Sequence, residues 1–363
     1  TDNRRQRQMC IRDSFSNEGL QEWEYTLAIT IDSGDVQAYV DSTDRANDFT
    51  GYATNDSVEI TGSITVAQAI LLDAIAASKY IANISTGTVA DLKTITTNRG
   101  VNTNEFDITV TDTTAAADDL ILINAKTASA VSLGNVTTIT GLRTELATLY
   151  AANGSTVTGL GNEAITVDDS VTAAQANTID GYTSGAVTAT ISTTAIADLD
   201  DLSGTGNAYT ITVADAQVTA AAMKAVNAAT TVNVTATNVT QITGSAADLA
   251  DVYGGGFTDL GNETIILTDT TLAAATLTPT VNGYSTVAIN ANSVTTLTGT
   301  NAEILAAYTA DSNAEVILDT DAKLTLDDSI TSGEANVLAT KTSGVITATI
   351  TTTAIADLDD LSG

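Results

Sequence analysis

The sequence predicts an α/β solenoid: tandem coils of strand, turn and short helix, with a parallel β-sheet on one face. Two observations carry that expectation. The stretch Val187–Gly204, VTATISTTAIADLDDLSG, returns almost unchanged as VITATITTTAIADLDDLSG over Val345–Gly363. The same offset carries Asp168, Asp169 and Ser170 onto Asp327, Asp328 and Ser329 (327 − 168 = 159), and recurrence at a fixed offset marks a repeat array. Within the stretch, Val187, Ala189 and Ile191 alternate with Thr188 and Thr190, the period of a half-buried strand. Ile196, Leu199 and Leu202 then recur in steps of three, as on one face of a helical turn. Helices of this size do not stand alone in water, so they must pack on the neighbouring coil. Strands of successive coils, about 22–34 residues apart, then run parallel through right-handed crossovers.

Composition limits the function classes. A net charge of −31 with no histidine excludes a basic surface for nucleic acid or anionic membrane. Hydrophobic content is 43% but only 4% is aromatic, which fits a thin core of small aliphatic side chains. No run of about eighteen apolar residues is present to span a membrane, and no segment reads as a secretory leader. An export signal is expected outside this sequence. With one Cys, no His and 13 cationic side chains, nucleophile–base pairs and phosphate clamps are hard to assemble. Asp168 and Asp169 face opposite sides of a strand, and their recurrence is what a repeat requires and a unique active site does not, so no catalytic residue is assigned.

From the N-terminus, residues 1–14 stand apart. RQRQMCIRDS, from Arg5 to Ser14, holds the only Cys, and its Gln8–Ser14 portion resembles the translation of a sequencing adapter. It is set aside as foreign, with a basic arm carrying a reactive thiol as the functional alternative. Residues 15–56 contain Trp23 and an apolar strand from Tyr25 to Ile31 but fit the repeat poorly, as a divergent coil or linker. The array runs over 57–363 and is read as broken off at its C-terminal end. One coil type reads strand, acidic turn, Ala-rich helix, as in FDITVTDTTAAADDLILI from Phe106, AITVDDSVTAAQANTI from Ala164 and TIILTDTTLAAATL from Thr264. The other ends in tyrosine: VTTITGLRTELATLY to Tyr150, VTQITGSAADLADVY to Tyr253, VTTLTGTNAEILAAY to Tyr308. Two of its extensions share their closing words, Leu160-Gly161-Asn162-Glu163 and Leu260-Gly261-Asn262-Glu263. Thr65 with Gln68, Thr172 with Gln175, Thr300 with Glu303 and Thr331 with Glu334 have capping-box spacing and mark helix starts.

The recurring phrases DDSVTAAQAN and VTATISTTAIADL resemble those of very large bacterial surface and secreted β-strand repeat proteins of marine and cyanobacterial type. The resemblance covers about 57–363. It implies an exported protein, extracellular or at the cell surface, acting in surface layers, adhesion or matrix, with no catalytic residues. Partners implied are neighbouring repeats of a longer chain and polysaccharide or cell-surface components. Leucine-rich repeats share the expected shape but not the sequence, since their leucine and asparagine ladder is missing.

Three features are candidates for function. Asp112, Asp168, Asp169, Asp215, Asp269, Asp327 and Asp328 fall just after the strands of alternate coils and would line one edge. They read as helix-capping, solvated residues or as a weak calcium edge, although calcium needs six to eight oxygens and no known loop signature is present. Calcium is the one cofactor considered. The pairs Thr188 with Thr190, Thr210 with Thr212, Thr235 with Thr237 and Thr347 with Thr349 are expected on an outward face. Such a face suits ice, polysaccharide or protein, or reflects the strand preference of Thr. Tyr150, Tyr253 and Tyr308 end matching helices, where they close the core or form a strip for sugar rings.

Overall fold

The computed structural model describes residues 29–42, 57–75, 79–96 and 104–351, with Ala354 and Asp359. The adapter-like string, Cys10, Trp23, most of the strand expected from Tyr25 and most of the second copy's helical turn lie outside these residues. The chain is an α/β protein built of several parallel sheets of strand–helix units. By its contacts it divides into two compact units. One is Thr1–Asp169 with Gly181–Val187, and the other is Ser170–Asp180 with Thr188–Gly363.

In the first unit, Ile29–Asp32, Ser57–Ile64, Lys79–Ile84, Glu105–Thr109, Val131–Ser132 and Val157–Thr158 form a six-stranded sheet in chain order. Thr114–Ala116, Thr138–Gly141 and Ala164–Val167 pair in a further sheet. In the second unit, Gln217–Thr219, Gln241–Gly244, Thr264–Leu267, Ile289–Ala291 and Val316–Leu318 make a five-stranded sheet. Thr271–Ala273, Thr296–Gly299, Lys323–Ile330 and Ile346–Ile350 make a four-stranded one. There too, Val234–Thr235 pairs with Phe257–Thr258, and Thr188 and Thr190 pair with Ala208 and Thr210. These pairings are parallel, and the step from one coil to the next runs from 20 residues (Thr188 to Ala208) to 29 (Ile29 to Val58).

The alternation read in the sequence sets the register. Ile139 sits beside Ile165, and Ile242 beside Ile265, each at most 1% exposed. Every such Ile, Leu or Val contributes about 1.5–3 kcal/mol by leaving water. Ladders of this kind therefore hold a coil that has no stability of its own. Most helices are eight or nine residues long, such as Ala117–Asn124 and Ala220–Ala228, and they lie against the helices of adjacent coils. All four capping boxes form: Thr65, Thr172, Thr300 and Thr331 each exchange hydrogen bonds with Gln68, Gln175, Glu303 and Glu334.

Two expectations are corrected. A single sheet on one face is not what forms, because several coils bend between two short strands. Val131–Ser132 precedes Thr138–Gly141, Val234–Thr235 precedes Gln241–Gly244, and Ile289–Ala291 precedes Thr296–Gly299. Each corner is closed by a valine amide on the carbonyl three residues back: Val136 to Leu133 (2.9 Å), Val239 to Ala236 (3.0 Å) and Val294 to Ala291 (2.9 Å). Turn-forming residues interrupt the alternation there, namely Gly134-Asn135, Thr237-Asn238 and Asn292-Ser293. The Ala-rich helix expected after Thr264–Leu267 begins at Ala274, after the short strand Thr271–Ala273, but it is cut short and passes into the kinked turns Thr276–Thr280 and Val281–Gly283. Pro279, the only proline, has no N–H to give a regular helix there.

Candidate functional site

The aspartates after the strands have a partner that local sequence does not reveal. Asp112 accepts from Val89 N (2.7 Å), Asp169 from Arg143 N (2.8 Å) and Asp215 from Ile196 N (2.6 Å). Asp269 accepts from Ala246 N (2.8 Å) and Asp328 from Asn301 N (3.0 Å). These donors are the first residues of Val89–Leu92, Arg143–Ala151, Ile196–Leu199, Ala246–Tyr253 and Asn301–Ser312. First-turn amides have no acceptor inside their own helix, and negative charge at that end is favoured by the helix dipole. Each carboxylate therefore caps the helix of the preceding coil and ties two coils together. Asp168 and Asp327 do not join in; both are exposed, one residue before a capping Asp. At the helix Ala173–Asp180, Thr193 takes the same role, its Oγ1 accepting from Ala173 N at 3.1 Å. Among the described residues, no group of three or more His, Cys, Asp or Glu is placed to hold a metal ion.

Losing one such cap should be measurable. Asp269→Ala is expected to cost about 1 kcal/mol, the usual worth of an N-terminal cap, whereas Asp327→Ala should leave the urea midpoint unchanged. Equal losses for the two would remove the capping role.

Along the expected Thr face, Thr188, Thr190, Thr210, Thr212, Thr347 and Thr349 are exposed and Thr235 is half-buried. Register places Thr190 beside Thr210, Thr212 beside Thr235 and Thr347 beside Thr325. Thr188 stands beside Ala208 and Thr349 beside Ser329, which interrupts the ladder. Thr237 is not on a strand. It lies in the corner after Val234–Thr235, and its hydroxyl meets Asp259 Oδ2 at 3.1 Å.

The tyrosines lead to groups the sequence reading passed over. Tyr150 donates to Glu163 Oε2 (2.9 Å) and Tyr253 to Glu263 Oε2 (2.8 Å), and both glutamates are fully buried. Gly161 N and Gly261 N also donate to these carboxylates. Burial first, and then the hydrogen bond and charge of the glutamate, push both phenols far above the usual tyrosine range. A second tyrosine stacks on each: Tyr182 on Tyr150 with centroids 4.9 Å apart, and Tyr284 on Tyr253 at 4.7 Å. At the third matching coil the set is lost together. Ala322 stands at the glutamate position and Lys341 at the second tyrosine position, in register with the shared Thr183, Ser285 and Thr342. Tyr308 is 4% exposed there, inside the longer helix Asn301–Ser312 rather than at its end. Other coils carry a neutral–acid pair instead: Asn104 donates to Asp73 Oδ1 (2.9 Å), both buried, and the buried Asn207 donates to Oδ1 of the half-buried Asp180 (2.7 Å). Burial holds the Asp73 carboxyl above the ordinary aspartate range, against hydrogen bonds from Thr96 and Asn104 and the charge of Lys126.

A hydroxyl repeats beside these groups. Thr127, Thr183, Thr230, Ser285 and Thr342 donate to the carbonyls of Phe106, Glu163, Tyr209, Glu263 and Ala322 at 2.6–2.8 Å. Each accepts from the amide two residues on in its own coil, at 2.8–3.1 Å. Its signal in the sequence is the Thr-Ser-Gly word at Thr183–Gly185 and Thr342–Gly344.

Fold and side chains together define an α/β protein of parallel strand–helix units whose buried polar groups link one coil to the next. Compared with known proteins, the chain matches no family model, no curated protein and no solved structure. Among the described residues no helix is long and apolar enough to cross a membrane.

Proposed function

We propose that the chain is a non-catalytic structural and adhesive repeat module of an extracellular or cell-surface protein, each unit a stretch of α/β solenoid with a leucine-rich-repeat-like shape. The observation that carries this reading is the use of polar side chains: five of the seven aspartates in the acidic row are spent on capping the neighbouring coil. A row committed to backbone amides serves cohesion. The resemblance to large bacterial surface repeat proteins and the acidic composition point the same way.

Mechanical unfolding tests the role. Because such arrays are held by nearest-neighbour terms, pulling on the ends should release the chain in successive steps. A coil of 20 to 29 residues gives roughly 7–10 nm per step at about 3.3–3.6 Å per residue. Collapse of the whole chain in one low-force event would count against this structural role. The calcium-dependent alternative is separated by the thermal melt. Calcium and magnesium at matched ionic strength should raise the midpoint equally, by screening alone, whereas a saturable rise specific to calcium would transfer the acidic row to ligand binding.

A further inference from the structure

Two pairs of tyrosines lie face to face across neighbouring coils. Tyr150, near the end of the helix Arg143–Ala151, meets Tyr182, which sits in a turn; the ring planes are 12° from parallel and the centroids 4.9 Å apart. Tyr253, the last residue of the helix Ala246–Tyr253, meets Tyr284 in the bend after Val281–Gly283, with the planes 2° apart and the centroids at 4.7 Å. All four tyrosines are half-buried, so the pairs are packed and still open to solvent. In each pair the first phenol donates to a fully buried carboxylate, Glu163 Oε2 at 2.9 Å or Glu263 Oε2 at 2.8 Å. Stacking needs no such acid, since offset parallel rings attract without it, and a buried carboxylate is costly. Yet the acid and the second ring come as a set. Both are present in two coils, and both are replaced in the third, by Ala322 and Lys341. A reaction that needs a partner ring and a proton acceptor together accounts for that.

We propose that Tyr150 with Tyr182 and Tyr253 with Tyr284 are oxidative cross-linking sites, where a one-electron oxidant joins the two rings through their ortho carbons into a dityrosine that staples one coil to the next. Each ring gives up one electron and its phenolic proton. At Tyr150 and Tyr253 burial keeps the phenol protonated, and the hydrogen-bonded glutamate takes the proton as the electron leaves. The other ring releases its proton to water. The unpaired electron is shared with the ortho carbons, whose π orbitals stand perpendicular to the ring and, in a parallel stack, point at the partner's face. One carbon–carbon bond forms there. Each joined carbon then loses its hydrogen as a proton while a proton returns to each phenolic oxygen, and the rings regain aromaticity. Two electrons and two protons leave in all, and a peroxidase-type oxidant uses them to turn one hydrogen peroxide into two waters. The turns that carry Tyr182 and Tyr284 let the second ring swing from face to edge as the product relaxes. The links close loops of 32 and 31 residues (182 − 150 and 284 − 253), and a cross-link stabilises chiefly by restricting the unfolded chain. The inference stands on ring geometry and not on the adhesive role, which its failure would leave intact.

The test illuminates the dilute full chain with tris(bipyridyl)ruthenium(II) and persulfate, a photochemical one-electron oxidant, and maps the products by peptide mass spectrometry. Expected are monomers with the blue fluorescence of dityrosine and a raised urea midpoint. Peptides of Tyr150 should be joined to those of Tyr182, and peptides of Tyr253 to those of Tyr284, with two hydrogen atoms lost per link. Tyr182→Phe keeps a ring in place but should abolish the first link and leave the second, and Tyr284→Phe should do the converse. Tyr39 and Tyr80, buried edge to face with planes at 77° and centroids 6.4 Å apart, should not join. In denaturing urea the preference for the two stacked pairs should disappear. Links mapped mainly to other tyrosines, chains joined to one another instead, or the same pairs formed equally in urea would overturn the proposal. So would oxygen added to these four rings with no link between them.

Discussion

Glu263→Ala is expected to lower stability by about 2–5 kcal/mol, more than the usual cost of a point mutation, because it removes the fully buried acceptor of two half-buried donors and leaves a cavity in its place. The Tyr253 hydroxyl and the Gly261 amide both end on this carboxylate, and the glutamate that carries it is fully buried. Tyr253→Phe removes one donor and leaves the glutamate its amide, so its cost should be nearer 1–2 kcal/mol. The double variant should then cost less than the sum, since the hydroxyl orphaned by Glu263→Ala is no longer there. Urea unfolding of the four proteins measures the coupling, and near-ultraviolet circular dichroism reports whether Tyr253 and Tyr284 remain stacked. Strict additivity would mean that the carboxylate and the phenol do not depend on each other. The chain supplies its own comparison at Ala322, Lys341 and Tyr308, where the acid and the second ring are absent together.

Gly185→Ala should be at least as damaging. A β-carbon at Gly185 would sit 2.3 Å from the carbonyl oxygen of Glu163 and 2.6 Å from its carbon, and at Gly344 it would sit 2.3 Å from the oxygen of Asp321. Backbone of the preceding coil cannot move aside as a flexible side chain can. The substitution must therefore break the hydroxyl link through Thr183 or push two coils apart, at the upper end of the ~1–3 kcal/mol typical of overpacking or beyond it. Gly134→Ala, where nothing lies within 4 Å of the added carbon, should be close to neutral in the same urea titration. Similar midpoints for the two variants would show that the coils do not need this close approach.

The parts of the structure that depend on neighbours in sequence were legible beforehand. Alternation at Val187, Ala189 and Ile191 marked a strand, and the spacing of Thr300 with Glu303 marked a helix start, because each involves residues a few positions apart. Of the seven aspartates grouped as equivalent, Asp112, Asp169, Asp215, Asp269 and Asp328 share a capping role and Asp168 and Asp327 do not, and the partners of the five were not visible. Asp215 and Ile196 are 19 residues apart, and Asp328 and Asn301 are 27, so no local pattern joins them. Glu163 and Glu263 were hidden differently. Their repeated words were noticed, but among 44 acidic residues nothing in composition distinguishes a fully buried carboxylate from a solvated one. Joint loss at Ala322 and Lys341 is the one signal that could have found them. The single-face sheet failed because corners such as Ala236–Val239 bend the coil within a stretch that strand propensity alone reads as continuous.

The inter-coil caps have a consequence for how such a gene can lengthen. Five of the helices take a carboxylate from 19 to 27 residues further along, in each case from the following coil. A duplication that copies whole coils preserves this hand-over, because each of these five helices is copied together with the Asp that follows it. A duplication that cuts a coil leaves one helix start without its acid and one acid facing no helix. Selection for folding alone would therefore admit growth only in whole coils, and the 159-residue offset between the two copies of Asp169 and Asp328 is the size of step such a filter lets through.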